Sequence, residues 1–125
     1  MRSFNPSSPH PARAVQCWQI LVGKAKSRQI LTYKLLSELM YRKPAAGVLP
    51  QILGHVAYYC AENDLPPLTA IVVNAGGAPG EGIPIGLSNI DSERERVYEH
   101  DWYDVYPPSE DDLAQAFKRG GAAKH

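Results

Sequence analysis

The sequence predicts an α+β domain: a winged helix, that is a helix-turn-helix plus a small β-hairpin, with extra helices at its N-terminal and C-terminal ends. Three observations predict it. Apolar residues recur at helical spacing on both sides of an Arg42-Lys43-Pro44 turn. A near-continuous apolar run, Leu68 to Asn74, follows the second of these helices. That run enters a glycine-rich stretch, Gly76-Gly77-Ala78-Pro79-Gly80-Glu81-Gly82, suited to a hairpin tip because glycine supplies positive φ.

Taken in order, residues 1–10 read as a flexible leader rich in Ser and Pro, without the apolar region of a secretory signal. Residues 11–27 form an N-terminal helix, since Val15, Trp18, Leu21, Val22 and Ala25 share one face. Residues 30–87 are the winged-helix core. Ile30-Leu31-Thr32 is a short strand, and Tyr33 to Tyr41 a helix with Leu35, Leu36, Leu39 and Met40 inward. Arg42-Lys43-Pro44 ends that helix, because the residue before proline resists helical geometry. The next helix starts near Pro50 and buries Leu49, Ile52, Leu53, Val56, Tyr59 and Cys60. Asn63, Pro66 and Pro67 stop it. Leu68 to Asn74 is the strand, and Gly82 to Leu87 its irregular return.

Residues 88–125 are an acidic helical extension. Ser92 opens a charged helix with capping-box spacing to Glu95 and carries Val97, Tyr98 and Trp102 inward. Ser109 caps a last helix whose first turn holds Glu110, Asp111 and Asp112, favourable at the positive end of the dipole. Gly120-Gly121 ends it. The 125 residues make one domain, 1–125, with no internal repeat.

Composition and charge narrow the function classes. No apolar run approaches the roughly 20 residues that cross a bilayer. Cys17 and Cys60 sit apart in apolar helical stretches, and free thiols in a cytoplasmic protein are the reading. The formal net charge is zero, yet the chain is split. Up to residue 43 eight basic residues face one acid, Glu38, a net +7; the remainder is −7. A basic front points to an anionic partner, or to internal attraction between a basic and an acidic lobe.

Catalytic motifs are missing. The glycine stretch has no Lys, carries Glu81 at its centre and runs into Ile83-Pro84, so it fits neither a P-loop nor the GxGxxG dinucleotide fingerprint. His55 and Cys60 are five apart on one helix and point about 140° away from each other, so they cannot pair. His10, His55, His100 and His125 show no zinc spacing. Glu93, Glu95, Glu99, Asp101 and Asp104 could supply metal-binding carboxylates for a hydrolase, the weakest of the readings. Interleaved with Arg94 and Arg96, they suit a solvated helix face. The sequence therefore predicts no catalytic residues, no metal and no cofactor.

Residues 30 to 82, with ILTYKLLSELMY, a helix ending in AEN and then LPPLTAIVVNAGGAPGEG, resemble the C-terminal domain of DNA alkylguanine transferases and alkyltransferase-like proteins. Members of that family bind duplex DNA and flip a damaged nucleotide. The resemblance places Tyr33 on the tyrosine that contacts the target phosphate and Asn63 on the asparagine ending the recognition helix. It also places Val72-Val73 on the closing valines of the strand. The reactive Cys-His-Arg positions fall on Thr69, Ala70 and Ile71, and the arginine finger near Gly54. The resemblance implies the scaffold without the alkyl-transfer chemistry.

The expected function is non-enzymatic binding of double-stranded DNA, mainly through phosphates. Lys24, Lys26, Arg28, Lys34, Arg42 and Lys43 would hold phosphates, Tyr33 would position one, and Gln51 and His55 would approach the groove, although a partly buried, hydrogen-bonded histidine is the default for His55 at the border of its stripe. The alternative is a protein-interaction module or homodimer that has lost DNA binding and uses the acidic half with Tyr98, Trp102, Tyr103 and Tyr106.

Overall fold

The structure, a computed structural model, describes residues 10–41, 49–73 and 90–123; the side chains of residues 90 and 121–123 are not among those described. Arg42, Lys43, the glycine stretch, the expected return strand, the leader up to residue 9 and His125 lie outside them. Within these limits the chain is mostly helical with a small two-stranded parallel sheet, an α+β arrangement.

Helix α1 spans His10–Lys26 and buries Ala14, Cys17, Trp18, Leu21, Val22 and Ala25 on one face. Its end is built by Arg28, which sits at φ 55° while its N–H reaches the Ala25 carbonyl and that of Gln29 reaches the Lys24 carbonyl. This is a Schellman ending with an arginine in the left-handed position usually given to glycine, at a cost of about 1–2 kcal/mol. Strand β1, Leu31–Thr32, follows, and the Thr32 hydroxyl accepts the Leu35 N–H to cap helix α2, Tyr33–Tyr41.

Helix α2 buries Leu36, Ser37 and Met40. Leu35 and Leu39, expected inward, are 40% and 47% exposed. A nine-residue helix lying on the core by one stripe turns the neighbouring row, about 100° away, to solvent. Helix α3, Leu49–Glu62, then runs until Asp64, at φ 55°, closes it with the Leu65 N–H on the Cys60 carbonyl.

The run from Leu68 departs from the expected strand. Leu68–Ile71 is a fully buried 3-10 turn, and only Val72–Val73 form a strand, β2. The physical reason lies in the hydrogen bonds. The Ala70 N–H turns back onto the Pro67 carbonyl, and the Ala70 carbonyl accepts Arg94 Nε at 2.9 Å, so neither enters a ladder. Strand β2 pairs in parallel with β1, Leu31 opposite Val72 and Thr32 opposite Val73, with α2 and α3 as the crossover.

Helix α4, Ile90–Glu99, starts two residues before Ser92, so Ser92 and Glu95 lie inside it and the expected capping box is not its beginning. Trp102 follows in the 3-10 turn Trp102–Asp104. Its indole N–H donates to the Val97 carbonyl at 2.7 Å, and its ring packs edge-on against Trp18. Helix α5, Glu110–Ala123, begins with the predicted Ser109 cap. Ser109 Oγ accepts the Asp112 N–H and Asp112 Oδ2 accepts the Ser109 N–H. It runs through Gly120 and Gly121, which were expected to end it. The space a Gly120 side chain would need holds the Tyr58 ring, so glycine serves packing there.

One hydrophobic cluster joins Trp18 and Leu21 of α1, Leu36 of α2, Ile52, Leu53 and Val56 of α3, and Leu113 of α5. Helix α3 lies at its centre, against α1 on one side and α5 on the other.

Candidate nucleic-acid interface

The basic residues that the sequence assigns to phosphate binding come from three places. Lys24, Lys26 and Arg28 sit at the end of α1, Lys34 on the first turn of α2, and Arg42-Lys43 outside the described residues. Lys34 and Lys26 are exposed. The Lys26 ammonium stands 5.5 Å from the Tyr103 ring centroid, and Lys24 Nζ donates to Gln29 Oε1 at 3.5 Å.

Arg28 is committed elsewhere. Its guanidinium meets Glu95 of α4 at 3.3 Å and lies 5.5 Å from the Tyr98 ring centroid. The strained turn that ends α1 thus presents a side chain fastening that end to the acidic extension. Both ions are more than half exposed, so the pair contributes little stability but neutralises much of the local field. Arg13, a further cation of the basic front, is 3% exposed. It donates to the Met40 carbonyl at 2.7 Å and to Gln16 Oε1 at 2.9 Å, and stacks over Tyr41. Part of the +7 front is therefore internal fastening.

The readers of the candidate recognition helix do not share a surface. Gln51 is exposed, but His55 is 4% exposed and lies parallel to the Phe117 ring of α5 with centroids 4.1 Å apart. Its expected approach to a groove does not fit that burial. His55 Nδ1 lies 2.7 Å from the Gln51 carbonyl, which sets the ring to donate from Nδ1. Burial lowers its pKa below 6.5; the Gln51 carbonyl opposes the shift and His10 adds to it. Gly54, where the resemblance places the arginine finger, faces the same ring: a Cβ there would lie 2.9 Å from Phe117. Of α3, Leu49, Ile52, Leu53, Gly54, His55, Val56, Ala57 and Cys60 are all buried. A helix that reads a groove needs one open face. Helix α5 covers it.

The other chemistry-bearing groups are equally enclosed. Cys17 and Cys60 are buried free thiols whose pKa burial pushes up to about 12, so neither carries thiolate at neutral pH. Thr69, at the position of the reactive cysteine in the resemblance, is 0% exposed, and its hydroxyl has no hydrogen-bond partner among the described residues. Tyr33 is half-buried against the core. Among the described residues no group of three or more His, Cys, Asp or Glu is placed to hold a metal ion.

An open cleft of about 640 Å³ lies between the end of α3 and α5, lined by Tyr59, Glu62, Asn63, Asp112, Gln115 and Arg119. Two of its charges, Glu62 and Arg119, are paired with each other, while Asp112 accepts the Ser109 N–H. Arg119 grips Glu62 with Nε and Nη2, at 2.7 and 2.8 Å, and holds that carboxyl below the usual range. The Asn63 side chain donates to the Tyr59 carbonyl. The two ions are 57 residues apart and no spacing in the sequence announces their meeting. Comparison with protein-family models, curated proteins and solved structures finds no match for this chain.

Proposed function

We propose that this chain is a non-enzymatic protein-interaction module on an alkyltransferase-like winged-helix scaffold. The scaffold reading draws support from the order β1, α2, α3, β2. The observation that carries the functional reading is the stack of Phe117 on His55, which closes the face of α3 that would enter DNA. Apolar side chains meanwhile face solvent: Ile30 at 49%, Leu35 at 40%, Leu39 at 47%, Tyr103 at 66% and Tyr106 at 90%. Trp102 belongs to the core and Tyr98 is half-buried, so the acidic half offers a partner Tyr103 and Tyr106.

Duplex DNA is the second reading, favoured by exposed Lys26 and Lys34 together with the net +7 of the first 43 residues. A salt titration of duplex binding separates the two. The interaction reading expects no salt-dependent duplex affinity at low salt. The DNA reading expects three to five phosphate contacts and a slope of log affinity on log salt between about −3 and −4.5. A slope of that size, made shallower by changing Arg42 and Lys43 to Ala, would overturn the interaction reading.

A further inference from the structure

The exposed face of α2 carries two adjacent rows. Leu35 and Leu39 form one, four residues apart; Lys34 and Glu38 form the other, beside it. Ile30, just before β1, is also 49% exposed. Among the described residues neither Lys34 nor Glu38 makes a salt bridge. Among the described residues the other exposed large apolar side chains are Ile30 and, in the acidic extension, Tyr103 and Tyr106, whereas here apolar and charged rows run in parallel.

We propose that this face pairs with a second copy of the chain, α2 against α2 in antiparallel orientation, an inference that rests on the interaction reading. A twofold axis perpendicular to two side-by-side helices keeps each row on its own side. Leu35 then meets Leu39 of the second copy, and Lys34 meets Glu38 of the second copy, with both contacts repeated by symmetry. The charge order is what selects the occupant. One basic and one acidic residue four apart on the same row are complementary to themselves when the direction is reversed. Two like charges would have repelled. Leucine rows beside such a pair are the seam of an antiparallel helix contact.

The face is short. Nine residues of helix span about 13 Å, and the patch falls below the roughly 800 Å² per partner of standard stable interfaces. The expected dissociation constant is therefore on the order of 10–100 µM.

Sedimentation equilibrium of the full chain between about 5 and about 500 µM at low salt reads this directly. Wild type should move from monomer to dimer mass across that range. Lys34→Glu and Glu38→Lys each place like charges at two symmetric contacts and should weaken association by about tenfold or more. An equimolar mixture of the two variants should restore it, as should the double exchange K34E/E38K. Circular dichroism confirms that each variant is folded, and recovery in the mixture cannot arise from misfolding. A wild type that stays monomeric at the highest concentration overturns the pairing. So does a dimer that the single exchanges leave intact, or a mixture that fails to recover. A monomer that also fails to bind duplex DNA removes this pairing but keeps the interaction reading, whereas a monomer with a steep salt slope removes both.

Discussion

His55 has the aromatic ring of Phe117 on one side, the Gln51 carbonyl at Nδ1 and His10 close enough to oppose its charge. Its folded-state pKa lies below the 6.5 of the free side chain because burial penalises the imidazolium. Well above pH 6.5 the ring is neutral in both the folded and unfolded chain and stability does not depend on it. As pH falls below 6.5 the unfolded chain takes up the proton first, so stability declines, by at most about 1.4 kcal/mol per pH unit. Thermal unfolding followed between pH 7.5 and 5.5 should show the melting temperature falling with pH, and His55→Gln should flatten that fall. A melting temperature that rises on acidification would mean His55 gains an anionic partner when folded. The same burial logic covers Cys17 and Cys60. Their positions in apolar stripes were legible from periodicity, as was the place of His55 at the border of a stripe; the ring that covers His55 was not, because Phe117 approaches from 62 residues away in sequence.

At the scale of elements, the two ends of α5 make opposite demands on its sequence. At the start, Ser109 and Asp112 exchange hydrogen bonds that satisfy two N–H groups. Ser109→Ala should cost about 1 kcal/mol, read from urea unfolding with an unchanged m-value. Near the other end, Gly120 lies against the Tyr58 ring. An exposed glycine-to-alanine change in a helix gains up to about 1 kcal/mol from propensity, but here the new methyl group meets ring carbons near the root of the side chain. Overpacking of this kind costs about 1–3 kcal/mol, so Gly120→Ala should be neutral to destabilising in the same urea experiment. In a Tyr58→Ala background the same change should become stabilising, since only the propensity remains. The cap was visible in the sequence because its partners are three residues apart. The helix passing through two glycines was not, because the ring that makes glycine suitable belongs to α3.

At the scale of the molecule, α5 is part of the core as well as a cover for α3. Leu113 and Ala116 are 0% exposed, and Leu113 joins the cluster that holds Trp18, Leu21 and Val56. Burial of one leucine contributes about 1.5–3 kcal/mol, a large share of the stability of a small domain. A chain ending at Pro108 should therefore lose its cooperative unfolding transition and bind a hydrophobic dye. A truncated chain that still melts cooperatively would mark α5 as a detachable cover, and duplex binding by that chain would then be the telling measurement. The split of charge has the same character. Arg28 on Glu95 ties the basic front to the acidic extension, so part of the attraction between the two halves is spent within the molecule.

The sequence by itself determined the helices and their order, because hydrophobic period, prolines and caps act within a few residues. Helix α1, helix α2, the start of α5 and the buried cysteines all follow from such local rules. Only the tertiary structure decided what each face meets. The run Leu68–Ile71 became a turn because Arg94 takes the Ala70 carbonyl, and β2 paired in parallel with β1 because α2 and α3 carry the chain across. The face of α3 closed because Phe117 packs on His55 and Gly54. Those contacts join residues tens of positions apart, and their energies arise from burial, which no local spacing encodes.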